Sequence, residues 1–195
     1  MNYDALLVST GVVTLAEMGD KTQLLAFLLA ARFQKPWPII VGILLATVVN
    51  HGLAGALGAW ITASLDPQIL RWVLGVSFLA MAVWTLVPDQ IDDDETPLAT
   101  SLGVFGATVV TFFLAEMGDK TQIATVALAV HYVSPWMVVA GTTLGMLIAD
   151  VPAVFVGGKL AEKISLNWVR RLAAGVFAVL GAITLIGWDD RWVTY

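Results

Sequence analysis

The 195-residue chain is 58% hydrophobic and only 13% charged, with a net charge of −5 and a mean hydropathy of +0.84. Soluble domains run nearer half apolar and a quarter charged, so the composition excludes an ordinary soluble globule and specifies a polytopic, all-α membrane protein. Cysteine is absent, which excludes disulfides and thiolate metal sites and leaves oxygen, histidine nitrogen and methionine sulfur as metal-binding groups.

A bilayer core of about 30 Å calls for about 20 apolar residues per helix. The first apolar segment, 5–31, follows Met1-Asn2-Tyr3-Asp4, which carries no basic residue. It has no evident small-residue cleavage site and reads as a retained transmembrane helix rather than a signal peptide. Within it lies the run Leu15-Ala16-Glu17-Met18-Gly19-Asp20-Lys21-Thr22-Gln23. Segment 37–64 follows the break from Arg32 to Pro38, holds Asn50 and His51, and stops at Asp66-Pro67. Segment 69–88 runs into an acidic stretch, 89–95, that carries five of the fifteen acids. Segment 98–130 repeats the nine residues letter for letter as Leu114 to Gln122. Beyond Ser134-Pro135, segment 136–160 holds Asp150, with Pro152 two residues on to bend the helix and free a backbone carbonyl. The stretch from Glu162 to Asn167 separates it from the last segment, 168–188. Trp37, Trp136, Trp168, Trp188 and Trp192 fall near helix ends, where an amphipathic ring suits the headgroup zone, whereas Trp60, Trp72 and Trp84 read as bulk packing.

The repeat extends beyond the nine residues. At a constant offset of 99, Pro36-Trp37 matches Pro135-Trp136, Gly42 matches Gly141, Gly58 matches Gly157, Arg71 matches Arg170, Phe78 matches Phe177 and Thr85-Leu86 matches Thr184-Leu185. His51 and Asp150 also share one repeat position. The expected organisation is a three-helix repeat over 1–88, an acidic cytoplasmic loop over 89–97 and a second three-helix repeat over 98–195. An odd helix count turns the second unit upside down, giving six transmembrane helices as two inverted repeats with a site near the midplane between them. Loop basic residues set the orientation. Arg32, Lys35, Lys159, Lys163, Arg170 and Arg171 collect on one side, and only Arg71 and Arg191 on the other. The basic side is expected to be cytoplasmic, with both termini outside; the acidic loop would then help to concentrate divalent cations at the cytoplasmic mouth.

On a continuous helix Glu17, Asp20 and Lys21 share one face, as do Glu116, Asp119 and Lys120. An ionised side chain at the bilayer centre costs about 2.5–3.5 kcal/mol, so six facing lipid would cost roughly 15–20 kcal/mol. The charges must therefore meet one another, water or an ion. Internal pairing, Asp20 with Lys21 or Lys120, is the structural reading. It leaves an excess, because four acids against two lysines is net −2, which one divalent cation neutralises. Hard oxygen ligands suit magnesium, calcium and manganese. Thr22, Thr121, Gln23 and Gln122 can add neutral oxygens, and Gly19 and Gly118 can let the helix open so that backbone carbonyls join. Met18 and Met117 read as apolar packing or as thioether ligands that would favour manganese. His51 and Asp150 read as interhelical contacts, as proton carriers beside Lys21 and Lys120, or as completing the ion site. No nucleotide-binding loop, H-E-x-x-H, nucleophile elbow or nucleic-acid motif is present, so an enzyme is not expected.

Two copies of E-x-G-D-[KR]-[ST], one per half, resemble the Gdt-type cation exchangers, the transmembrane-protein-165 family. Glu17, Gly19, Asp20, Lys21 and Thr22 match the first family motif, and Glu116, Gly118, Asp119, Lys120 and Thr121 the second. The resemblance covers essentially the whole chain and implies exchange of manganese or calcium for protons, with Glu17, Asp20, Glu116 and Asp119 as the functional acids. The compact loops and the lack of the extra N-terminal segment of eukaryotic members imply a bacterial inner-membrane protein that exports manganese. The expected partners are the metal ion, protons and the bilayer, with no cofactor and no nucleic acid. The competing classes are a passive divalent-cation channel and a non-transporting scaffold or assembly factor.

Overall fold

The computed structural model describes residues 3–87, 102–156 and 166–187. Among these residues there are eight α-helices and no strand. The first half gives α1 (Tyr3–Glu17), α2 (Lys21–Phe33), α3 (Pro36–Ser64) and α4 (Pro67–Thr85); the second gives α5 (Gly103–Glu116), α6 (Lys120–Tyr132), α7 (Pro135–Val156) and α8 (Leu166–Ile186). The acidic stretch 89–95, Trp188, Trp192, Lys159, Lys163 and Arg191 lie outside the described residues.

Six continuous segments were expected, and the first and fourth are each two helices. Neither half-helix reaches 18 residues. α3, α4, α7 and α8 are long and apolar enough to cross a membrane, and the chain is a multi-pass membrane protein. Proline sets several starts, because its missing N–H is unsatisfied in a first turn anyway. Pro36 and Pro67 open α3 and α4, and the Asp66 carboxylate caps the latter by accepting from the Gln68 N–H at 2.8 Å.

The two halves interlock. α1 lies along α7 and, at the equivalent place, α3 lies along α5; α4 packs on α8, and α3 also meets α6 and α7. Missing side chains make these approaches possible. A Cβ on Gly42 of α3 would stand 2.8 Å from the Thr108 Cβ of α5, and one on Gly141 of α7 would stand 2.5 Å from the Leu6 carbonyl oxygen and 3.0 Å from the Ser9 Cβ of α1. Gly42 and Gly141 are repeat partners, and so are Ser9 and Thr108, so one contact is built twice. Small residues at crossing points are how membrane helices gain van der Waals contact when lipid offers no hydrophobic drive.

The interior holds two apolar clusters, one around Phe78, Phe177 and Leu128 and one around Leu25, Ile43 and Phe112. The outer surface is also apolar: Val41, Leu45, Val49 and Leu53 of α3 face outward. Trp60 and Trp72 correct the packing expectation. They are 66% and 53% exposed, so their rings meet the surroundings and not the core.

Candidate functional site

Each motif breaks its helix at a glycine. Gly118 has φ +76 and Met117 has φ −63, ψ 116, while the Asp119 N–H donates back to the Glu116 carbonyl at 3.2 Å. These are the dihedrals and hydrogen bond of a type II turn, whose third residue needs positive φ. Gly19 has φ +81, and the Asp20 N–H donates to the Glu17 carbonyl at 3.0 Å. The expected single face of Glu, Asp and Lys on one continuous helix is therefore corrected. Glu17 and Glu116 end α1 and α5, Asp20 and Asp119 stand at the N-caps of the next helices, and Lys21 and Lys120 are first residues of α2 and α6.

The turn is held by a glutamine in each copy. The Gly19 N–H donates to Gln23 Oε1 at 2.9 Å, and the Gly118 N–H donates to Gln122 Oε1 at 2.7 Å. Gln23 also donates through Nε2 to the Ala149 carbonyl at 2.9 Å, tying the first turn to α7. In this conformation both glutamine oxygens serve the backbone.

The broken ends bring opposite electrostatic poles into the span. The C-terminal carbonyls of α1 and α5 are negative and attract cations; the N-termini of α2 and α6 are positive. Arg170 of α8 answers the first break, its Nη2 donating to the Gly19 carbonyl at 3.4 Å. The second break is more open: Gly118 is exposed and Met117 is 56% exposed, while Met18 and Gly19 are half-buried.

The acids sit deep. Glu17, Glu116 and Asp150 are fully buried, and Asp20 and Asp119 nearly so. An ion pair joins the two halves: Lys120 Nζ donates to Asp20 Oδ1 at 2.5 Å. Glu17 lies within Coulombic range of Glu116, Asp150, Asp20 and Asp119; Glu116 is within range of Asp119, Lys21 and Lys120. Neither carboxylate oxygen of Glu17, nor either of Asp150, has a hydrogen-bond partner. Glu116 Oε2 accepts from Thr121 Oγ1 at 2.8 Å, whereas the Thr22 hydroxyl, its repeat counterpart, is buried without one. Among the described residues no three acid or histidine side chains converge tightly enough to cage an ion in this conformation.

Three residues join the site that the sequence did not single out. Asn50 donates through Nδ2 to the Phe113 carbonyl at 3.0 Å, fastening α3 to α5 just before the second motif. Thr142 of α7 meets His51 Nδ1 at 2.9 Å, and Arg170 reaches the first turn. Asn50 was visible as a polar residue in an apolar span. Thr142 was not, because threonines in such helices usually bond their own backbone, as Thr108 and Thr125 do here.

The chain matches the family described as "Divalent cation/proton antiporter GDT1" over residues 5–93 and 104–191. A Vibrio cholerae protein named "Putative manganese exporter" is 50% identical over 92% of this chain and 89% of its own length. A GDT1-like protein of Synechocystis is 30% identical over 90% of this chain and 95% of its own, and a GDT1-like protein of Oryza sativa is 30% identical over 96% of this chain and 72% of its own. No solved structure matches the chain. With a paired carboxylate-glycine-aspartate-lysine break in each half and a family match over nearly its whole length, the chain belongs to the GDT1 family of divalent cation/proton antiporters.

Proposed function

We propose that this chain exports a divalent cation, manganese ahead of calcium, from the bacterial cytoplasm across the inner membrane in exchange for protons. The two halves act as inverted repeats of three membrane segments, the first segment of each broken into two helices, with the basic loops cytoplasmic and both termini outside. Glu17, Asp20, Glu116 and Asp119 supply the oxygens for the ion, and Thr22 and Thr121 stand by as neutral donors of oxygen. The name of the Vibrio cholerae relative supports manganese.

The observation that carries this reading is the ion pair of Lys120 with Asp20, made across the two halves beside a glutamate whose oxygens have no partner. The ammonium sits where a cation would. An arriving dication competes with Lys120 for Asp20, and releasing that link lets the two motif breaks move relative to each other. The four motif carboxylates against two lysines leave the charge a dication neutralises, and Asp150 beside them adds a fifth carboxyl that a proton can hold neutral. Protons entering from outside then neutralise carboxylates and the ion leaves; release of those protons to the cytoplasm restores the charged Asp20, and the lysine returns. Lys21 and Asp150 belong to this charge exchange, and no sulfur ligand is required, with Met117 turned outward.

The test is transport in proteoliposomes with an imposed pH gradient. The wild-type protein should accumulate manganese against its own gradient, and Glu17→Gln should abolish this. Equilibration without accumulation would make the protein a channel, and an unaltered Glu17→Gln rate would remove the site assignment.

A further inference from the structure

His51 is fully buried, and its two ring nitrogens are in different situations. Nδ1 is 2.9 Å from Thr142 Oγ1. The Thr142 hydroxyl has one proton, and it is directed to the Val139 carbonyl at 3.2 Å. With its proton used there, Thr142 Oγ1 accepts from His51 Nδ1, the tautomer in which Nε2 keeps its lone pair; the reverse bond, Thr142 donating to Nδ1, puts the hydrogen on Nε2. In either case Thr142 holds the ring and turns Nε2 toward Glu116, and a ligating Nε2 takes the first tautomer. Nε2 has no hydrogen-bond partner and lies 4.0 Å from Glu116 Oε2, which itself accepts from Thr121. Nε2 and Oε2 thus face each other across 4.0 Å in the protein interior. Two metal–ligand bonds of about 2.1–2.3 Å span such a gap.

The repeat sharpens the point. The position equivalent to His51 is Asp150, whose two oxygens are buried and without a hydrogen-bond partner, and which lies within Coulombic range of both Glu17 and Glu116. The site is therefore lopsided: a carboxylate at this position of one half, an imidazole in the other. We infer that His51 Nε2, oriented by Thr142, is a nitrogen ligand of the transported cation beside Glu116 Oε2 and sets a preference for first-row transition dications over calcium and magnesium. Calcium and magnesium take oxygen almost exclusively, whereas imidazole is a ligand for the transition series. A partner that fixes the ring through its other nitrogen is the usual support of a metal-binding histidine.

The inference rests on the transport reading, and the experiment separates the two. Purified protein labelled with 15N-histidine is loaded with Mn2+ and studied by pulsed electron paramagnetic resonance, and transport of Mn2+ and Ca2+ is compared in the same vesicles. The expected result is a 15N coupling in the wild type that disappears in His51→Gln, with the Mn2+/Ca2+ transport ratio falling at least tenfold and Ca2+ transport persisting. Thr142→Val should lower Mn2+ affinity about tenfold and leave Ca2+ affinity alone. A wild type that binds and moves Mn2+ with no histidine nitrogen coupling overturns this inference and leaves the transport reading standing. A wild type that neither binds nor moves Mn2+ or Ca2+ overturns both. Should His51→Gln fail to fold, His131→Gln decides: a 15N coupling kept in that variant belongs to His51, and one lost with His131 overturns the inference.

Discussion

Breaking the link between Lys120 and Asp20 should cost more than it costs to remove both of its ends. At 2.5 Å and an effective dielectric of about 20, the gross attraction is about 7 kcal/mol. Desolvation of two nearly buried side chains takes back most of that. What remains exposed by a single substitution is the penalty of an orphaned buried charge, about 3–5 kcal/mol. Asp20→Asn and Lys120→Met should therefore each lower the unfolding midpoint of the metal-free protein by roughly 6–20 °C, at about 2–4 °C per kcal/mol for a chain of this size. The double variant strands neither member of the pair and should be more stable than either single one, with a coupling of at least about 2 kcal/mol. Thermal unfolding in one detergent at fixed pH measures all four proteins. Adding salt should barely change the coupling, since buried pairs escape screening. Strictly additive losses in the double variant would show that the contact carries no interaction energy, and the competition between lysine and dication would lose its basis.

Two further predictions test the scaffold. Gly118→Ala has open space around the new methyl, with no heavy atom within 4 Å, and should lose only the positive-φ penalty, about 1–2 kcal/mol of stability. Gly141→Ala puts a Cβ 2.5 Å from a backbone carbonyl of α1 and should abolish folded yield; equal yields for the two variants by size-exclusion chromatography would contradict the close approach of α1 and α7. Gln122→Ala strands the Gly118 N–H and should cost about 1 kcal/mol, with Gln122→Glu recovering most of it because a carboxylate accepts the same bond; indistinguishable unfolding midpoints for the two variants would refute the capping role.

The long helices were legible because their apolar spans run between clear stops: Arg32 to Pro38, Asp66-Pro67, Ser134-Pro135. The motif breaks were only half legible. Gly19 and Gly118 marked where a helix can open, but apolar residues continue on both sides, so composition alone gave one span where the turn makes two helices. That turn also decides pairing. On an unbroken helix Lys120 and Glu116 would be stacked neighbours; with the type II turn between them, Lys120 bonds Asp20 in the other half. Such a contact, 100 residues apart, depends on how the halves interlock, and no local pattern encodes that. Trp60 and Trp72 were misread for a related reason. They lie inside spans and look like filling, yet the face of a helix that meets the outside depends on which neighbours it has. Gln23 and Gln122 were read as oxygens for an ion, and in this conformation those oxygens hold glycine N–H groups.

Arg170 grips the Gly19 carbonyl, while its counterpart Arg71 rests with its guanidinium beside Gly187. Offsetting Arg170 and Gly19 by the repeat gives Arg71 and Gly118, one arginine and one exposed glycine that now stand in the undocked arrangement. In the exchange proposed above, each near-copy would adopt the other's posture and the latch would change sides. A cysteine pair at positions 71 and 118 would report that exchange, closing only when the latch at 170 has let go.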